Sequence, residues 1–164
     1  MEPSRDQLIR IAAFQYLDRL RATHGEALPW SALQKGFEFG GVNVPLIGAA
    51  GIWKPQALSE PISITTSHRD PYGDELGPDG FLSYRYQGSE ARAYDNEGLR
   101  RAMNLGLPLI YFEGLGVGSY AAYWPVVIVA DSDAEARRLL TSSQQATANL
   151  LRGTPGRLPP PASP

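Results

Sequence analysis

The chain has 164 residues, of which 43% are hydrophobic and 20% are charged, a balance typical of a single globular domain and not of a disordered segment. It contains no cysteine, which excludes disulfides, zinc–thiolate sites and thiol nucleophiles. Its formal net charge of −2 argues against a strongly basic nucleic-acid binder, so DNA could be bound only through a local basic patch and specific contacts.

The N-terminal half predicts a helix followed by strands. Ser4-x-x-Gln7 is a capping-box pattern that predicts a helix over residues 5–23, ended by Gly25 and Pro29. A short helical turn is expected over 30–35. Residues 36–47 alternate apolar with polar or small residues around Gly40-Gly41 and predict a hairpin.

The middle of the chain predicts further strands around a long loop. Gly51 to Pro55 is typical of a turn, and Ile62 to Thr66 is a β-branched strand pattern. Residues 67–80 are rich in Gly, Pro and Asp and predict a loop, and residues 81–87 predict a strand.

The C-terminal half predicts helix, strand, turn, strand and helix. Asp95 is expected to be the N-cap of a helix that stops at Gly106. The segments expected next are a strand over 107–112, a turn over 114–118 and a strand over 120–130. Ser132-x-x-Glu135 is a second capping-box pattern and predicts a final helix over 133–151.

The order of these elements predicts an α+β fold, with a curved, mostly antiparallel sheet flanked by N-terminal and C-terminal helices. We expect one domain over 1–153, followed by a proline-rich tail or linker over 154–164. No segment approaches the roughly 20 apolar residues of a membrane span. The N-terminus does not resemble a secretory signal, so we expect a cytoplasmic protein that contacts no membrane.

Motifs that would indicate an enzyme are absent from the sequence. There is no phosphate-binding glycine loop and no GxSxG, HExxH or GxGxxG motif. The glycine-rich run Gly114–Gly118 is followed by a predicted strand and not by the helix that a phosphate cradle needs. The carboxylates of residues 70–79 do not have EF-hand spacing and are better explained as turn caps. We therefore expect no catalytic residue, no metal and no cofactor.

The segment His68-Arg69-x-Pro71-Tyr72 combines an imidazole, a guanidinium, a rigid ring and an aromatic ring in one predicted loop. Such a loop can contact a phosphate and a base edge together, although an ordinary surface loop with Tyr72 in the core is an equal alternative.

Other candidate DNA contacts are scattered along the chain. Trp53-Lys54-Pro55 places apolar surface beside a cation, with a core tryptophan next to a turn as the alternative. Arg85 and Arg100 are candidates for phosphate contacts, with pairing to nearby carboxylates as the alternative for Arg100.

The sequence resembles the sulfur-binding domain of McrA-like, HNH-type type IV restriction endonucleases over roughly residues 8 to 135. The order and spacing of several segments carry the resemblance, and no single motif is diagnostic. These segments are Gly51–Pro55, Ile62–Thr66, Pro71–Glu75, Tyr84–Gly88, Asp95-Asn96, Leu99–Ala102, Pro108–Phe112, and Tyr120 with Trp124-Pro125-Val126. Family members tend to carry a basic residue near the turn at Gly118–Tyr120, where this chain has Ser119.

The resemblance implies a reader of phosphorothioated double-stranded DNA that serves bacterial restriction and defence. It implies a nuclease in a separate C-terminal HNH domain, and no His or Cys follows His68 here, so we expect this chain to be the reader alone. The alternatives are a reader of methylcytosine-type bases, a small-molecule enzyme using the acidic loop with His68, and a protein-interaction module without nucleic acid.

Overall fold

The computed structural model describes residues 2–49, 51–67, 75–76, 81–85, 93–131 and 136–141. Its helices are α1 (Arg5–His24), α2 (Trp30–Lys35) and α3 (Ala93–Leu105). Its strands are β1 (Leu28–Pro29), β2 (Phe37–Phe39), β3 (Val42–Val44), β4 (Ile52–Trp53), β5 (Ser63–Thr66), β6 (Glu75–Leu76), β7 (Phe81–Arg85), β8 (Leu109–Gly116), β9 (Ser119–Asp131) and β10 (Ala136–Thr141).

One large sheet organises the molecule. Its strand order is β4-β5-β8-β9-β10-β7-β6, with β1 also pairing with β9, and β2 and β3 form a separate hairpin. Strands β5 and β8 run parallel, whereas the other described pairs are antiparallel. The predicted α+β class and the mostly antiparallel sheet are confirmed.

Helix α1 forms where the capping box predicted it. The Ser4 backbone amide donates to Gln7 Oε1 at 2.7 Å, and the Gln7 amide donates to Ser4 Oγ at 3.1 Å, so free amides of the first turn are satisfied. The helix stops at Gly25, whose φ of 79° favours glycine. Its buried face consists of Ile9, Arg10, Ala13 and Leu17.

The sheet is covered by α1 on one face and by α3 on the other. Alternate residues of β8 belong to different clusters of buried side chains, as expected for a strand buried on both faces. The cluster that includes α1 contains Ile9, Leu17, Ile110, Phe112 and Trp124. The cluster that includes α3 contains Ile64, Leu99, Ala102, Leu109, Tyr111 and Tyr123.

Arg10 joins α1 to the amino ends of the two parallel strands. Its side chain is 1% exposed, and its Nε donates to Asp6 Oδ1 at 2.7 Å. Its Nη atoms donate to the carbonyl oxygens of Pro108 at 2.7 Å, Pro61 at 2.9 Å and Glu60 at 3.4 Å. Because Pro61 and Pro108 lie just before β5 and β8, one guanidinium holds both strand starts together.

Several local predictions are confirmed. The hairpin β2–β3 turns at Gly40 and Gly41, whose φ values of 57° and 85° match the positive φ that a two-residue hairpin turn requires. The helical turn over 30–35 and the strands within 62–66 and 81–87 also form. Helix α3 ends at Leu105, and the predicted stop residue Gly106 follows it with a φ of 65°.

Other boundaries differ from the prediction. Asp95 lies inside α3, which already begins at Ala93, and is not its N-cap. The turn expected over 114–118 is shorter, because β8 continues to Gly116 through its pairing with β9. Residues 52–53 of the predicted turn form β4, which pairs with β5.

The helix predicted over 133–151 does not form across residues 136–141, which are β10. This segment pairs with β9 on one side and with β7 on the other, so tertiary pairing outweighs the local helical pattern. Residues 142–151 and the predicted tail lie outside the described residues.

No helix within the described ranges combines the length and apolarity that crossing a bilayer requires.

Candidate nucleic-acid interface

Trp53 is part of the internal packing of β4. Its indole Nε1 donates to the carbonyl oxygen of Pro45 at 3.0 Å, and the half-buried ring packs against the α1-side core. A Cβ at Gly48 would overlap the Trp53 ring, so glycine is required there for the ring to fit. This environment is that of the core tryptophan considered as an alternative from the sequence.

Lys54 and Pro55 close the turn that follows β4. The Lys54 Nζ donates to the carbonyl oxygen of Leu58 at 3.1 Å, and the Leu58 amide donates to the carbonyl oxygen of Pro55 at 3.1 Å. Pro55 is buried. Lys54 is therefore the main residue of this segment that could contact DNA, and it would first have to break its hydrogen bond to the Leu58 carbonyl oxygen.

Two arginines of α3 lie at the surface in ion pairs. Arg100 is 39% exposed and its Nη1 lies 2.8 Å from Glu97 Oε1. Arg101 is 46% exposed, and its Nε donates to both carboxylate oxygens of Glu60 at 2.9 and 3.2 Å. The Arg100–Glu97 pair is exposed on both sides and contributes about 0–1 kcal/mol, so a DNA phosphate can replace Glu97 at little cost. Glu60 is only 13% exposed, so its pair with Arg101 is more costly to break.

The remaining predicted contacts are only partly described. His68, Arg69, Pro71 and Tyr72 lie outside the described residues, which stop at Ser67 on this side. Arg85 ends β7, where its backbone pairs with Ala136, and its side chain is outside the described part. The structure therefore leaves these roles as predictions.

The candidate segments lie at opposite ends of β5. Trp53 pairs with Ser63 at the amino end, and the α3 arginines lie on the same side through the contact of Arg101 with Glu60. The chain leaves toward His68 from the carboxyl end at Thr66, about 10 Å beyond Ser63 at roughly 3.3 Å per residue. Lys54 and the α3 arginines thus belong to one end of the sheet, and the exit toward His68 to the other.

The carboxyl end of β5 is also the base of the β8–β9 hairpin. Thr66 pairs with Glu113 of the parallel strand β8, which continues to Gly116. At the base, the Tyr123 hydroxyl donates to Glu113 Oε1 at 2.8 Å.

The end of this hairpin, Leu115–Gly118, is called the hairpin tip. It carries side chains that the sequence reasoning assigned only to a glycine-rich turn. Leu115 is 51% exposed and Val117 is 86% exposed, although both are aliphatic. The available sequence signal was the alternation of glycine with aliphatic residues over 114–118, since the adjacent glycines have no side chain that could cover Leu115 or Val117.

The hairpin tip is braced on one side. The Trp30 amide donates to the carbonyl oxygen of Gly118 at 2.9 Å, and β1 pairs with Ser119 and Tyr120. The rings of Trp30 and Tyr120 lie 6.0 Å apart in a tilted arrangement. Strand β1 and the first residue of helix α2 therefore fix the direction in which the tip projects.

Within the described ranges, no group of His, Asp and Glu side chains has an arrangement that could hold a metal ion.

Comparison with known proteins adds one distant likeness. No protein-family model matches the chain, and no curated protein matches it. Among solved structures, the chain is similar to the SRA domain of SUVH5 in its complex with hemimethylated CG DNA. The identity is 19% and the TM-score is 0.42, over 68% of this chain and 90% of the other. At this distance the likeness assigns no function.

Proposed function

We propose that this domain binds double-stranded DNA, prefers a phosphorothioate linkage, and serves as the recognition module of a modification-dependent restriction endonuclease. In this proposal the chain itself has no nuclease activity, and cleavage belongs to a separate nuclease domain. The proposal starts from the family resemblance of the sequence.

The observation that carries the proposal is the spatial arrangement of the resembling segments. Gly51–Pro55, Ile62–Thr66, Pro108–Phe112 and Tyr120–Val126 are far apart in the sequence. They fall on β4, β5, β8 and β9, which are consecutive neighbours in the sheet. Segments that resemble a family by chance would have no reason to fall on neighbouring strands, so their adjacency supports a common fold.

The chemistry of sulfur explains how such a site can discriminate. Replacing a non-bridging phosphate oxygen by sulfur keeps the negative charge but gives a larger, more polarisable and poorer hydrogen-bond acceptor. An apolar wall beside the phosphate penalises oxygen, which loses water without gaining a partner. Sulfur loses less on desolvation and gains dispersion contacts. A cation serves the charge in both cases, so the apolar wall provides the selectivity.

The charge of the chain is suited to selective binding. With a formal net charge of −2, the domain has little general attraction for duplex DNA, which keeps binding to unmodified sites weak. The exposed side chain of Arg100 supplies local positive charge once its partner Glu97 is replaced by a phosphate, and the half-exposed Arg101 lies beside it. We therefore expect weak binding to ordinary duplex at physiological salt.

Fluorescence polarisation with one duplex sequence in four forms tests the proposal. The forms are unmodified, hemimethylated, and phosphorothioate of Rp or Sp configuration. We expect one phosphorothioate diastereomer to bind at least about tenfold more tightly than the unmodified duplex, equivalent to about 1.4 kcal/mol. Equal affinity for modified and plain duplexes would refute sulfur recognition, and tighter binding of the methylated duplex would instead identify a modified-base reader.

Matched variants assign the contacts. Arg69→Ala and Tyr72→Ala should each weaken binding of the preferred phosphorothioate duplex, and Arg100→Ala should weaken modified and plain duplexes alike. Arg5→Ala, which removes an exposed arginine of α1, is the control and should leave affinity unchanged. If Arg69→Ala and Tyr72→Ala bind like the unsubstituted chain, the sulfur site lies elsewhere.

A further inference from the structure

We infer that the hairpin tip enters the major groove of the bound duplex, where Leu115 and Val117 contact the C5-methyl groups of thymines. This inference rests on the proposed DNA binding and extends it to a preference for bases. It gives the chain a sequence-reading element made of aliphatic side chains, separate from the cations that contact phosphates.

The two aliphatic side chains of the hairpin tip, Leu115 and Val117, are exposed to solvent. Val117 is 86% exposed, more than any other large hydrophobic residue whose side chain the structure describes. Burial of such a side chain would be favourable, but here the side chain lies in solvent at the end of a hairpin that is held in place by neighbouring backbone. A Cβ at Gly116 or Gly118 would meet no other atom within 4 Å, so the tip projects into open space.

The apolar surface of the hairpin tip is small. Two aliphatic side chains present at most a few hundred Å², whereas a stable protein interface buries about 800 Å² on each partner. The hairpin tip is too small to hold a second copy of the chain by itself. A small apolar contact added to a larger polar interface is, in contrast, how methyl groups are recognised on DNA.

The shape and charge of the β8–β9 hairpin fit the major groove. The major groove is about 12 Å wide and accepts a two-stranded β-ribbon, which is the form of the β8–β9 hairpin. Residues 114–130 include no charged residue, so the tip has no cation for phosphate and no carboxylate that phosphate would repel. Its aliphatic side chains fit the apolar feature of the major groove, the thymine methyl.

The hairpin tip projects well beyond the carboxyl end of β5. The tip lies about 13 Å beyond the level of Thr66, at roughly 3.3 Å per residue over the four residues from Glu113 to Val117. Glu113 is the β8 residue that pairs with Thr66. A projection of this length can reach base edges while the carboxyl end of β5 stays near the DNA backbone.

A thymine-to-deoxyuridine exchange tests the inference. The preferred phosphorothioate duplex is compared with the same duplex in which deoxyuridine replaces every thymine, which removes only methyl groups. The unsubstituted chain should bind the thymine duplex about fourfold more tightly for each methyl it buries. Leu115→Ser/Val117→Ser should bind both duplexes equally and about as weakly as the unsubstituted chain binds the deoxyuridine duplex.

Two controls make the result specific. Val42→Ser removes an exposed valine from the separate β2–β3 hairpin and should behave like the unsubstituted chain. The salt dependence of binding should be the same for the tip variant and the unsubstituted chain, because aliphatic side chains release no counterions. If the double variant folds poorly by circular dichroism, Val117→Ser alone and the β-branched Val117→Thr replace it.

The outcomes separate this inference from the proposed function. If the unsubstituted chain binds none of the duplexes, the proposed function fails and the inference with it. If it prefers the phosphorothioate duplex while the tip variant keeps both affinity and thymine discrimination, only the inference is overturned. A tip variant that loses affinity equally on thymine and deoxyuridine duplexes also overturns the methyl contact.

Discussion

Replacing Arg10 by methionine should destabilise the domain by about 3 kcal/mol. Methionine keeps the aliphatic stem but removes the buried guanidinium, which leaves the carbonyl oxygens of Pro61 and Pro108 without their donors at 2.9 and 2.7 Å. A buried carbonyl that loses its partner, as that of Pro61 would, costs about 1–3 kcal/mol, and the partly buried carbonyl of Pro108 adds less. The side chain of Asp6 is 27% exposed and can be rehydrated, so losing its ion pair adds less than about 1 kcal/mol.

Urea denaturation followed by circular dichroism measures this change. The midpoint for Arg10→Met should fall by roughly 1–3 M with an unchanged slope, given slopes of about 1–3 kcal/mol/M for small domains. Arg5→Met is the control, since Arg5 is an exposed arginine of the same helix whose Nη1 donates to Ala57 at 3.2 Å. If Arg10→Met unfolds at the same urea concentration as Arg5→Met, the guanidinium does not hold the strand starts together.

Three further substitutions test local features. Ser4→Ala should remove the capping box of α1 and lower stability by about 0.5–2 kcal/mol, measured by thermal denaturation. Gly48→Ala should cost about 1–3 kcal/mol in urea denaturation, because the new Cβ overlaps the Trp53 ring in a packed region. Burial raises the pKa of Tyr16 above 10.0, partly offset by Arg19, so the native state keeps the phenol proton more tightly than the unfolded state. The stability this provides is complete below the unfolded pKa near 10 and is lost as pH rises through the folded pKa. Tyr16→Phe should therefore show a smaller fall in urea midpoint between pH 8 and 11.

Each of these expectations has its own contrary result. Ser31→Ala, at an exposed position of α2, should not lower stability, and a Ser4→Ala chain as stable as Ser31→Ala would mean that the cap is dispensable. Gly116→Ala adds a Cβ in open space and should be nearly neutral, so equal effects at Gly48 and Gly116 would argue against the overlap. An identical alkaline loss of stability in Tyr16→Phe and the unsubstituted chain would assign that loss to other groups.

Local patterns predicted local structure well. The capping box around Ser4 and the glycine pair Gly40-Gly41 specify their structures through bonds and dihedral angles within a few residues. The β-branched run ending at Thr66 likewise formed its strand. These features depend little on the rest of the chain, and for this reason they could be read from the sequence.

Features that depend on distant residues were not predictable in this way. Helical spacing after Ser132 could not reveal that residues 136–141 have strand partners on both sides. Nothing in the sequence indicated that Arg10 is buried, because the carbonyl groups that surround it belong to residues about 50 and 98 positions away along the chain.

The candidate site shows the same division. The sequence identified Trp53 and Lys54 by residue type, but only their partners at Pro45 and Leu58 reveal how far the segment is committed to internal bonds. It treated Val117 as one residue of a turn, because exposure at the end of a braced hairpin follows from β1 and β9 together. Residue chemistry was therefore predictable, and accessibility was not.

The parallel pair β5–β8 gives the two ends of the sheet different capacities for change. At the amino ends, Arg10 fixes both strands to α1, so insertions there would break several bonds at once. At the carboxyl ends, the segment after β5 and the β8–β9 turn can each change length or composition without disturbing that attachment. Related domains could thus acquire new ligand preferences by altering one end alone, while the other end preserves the scaffold.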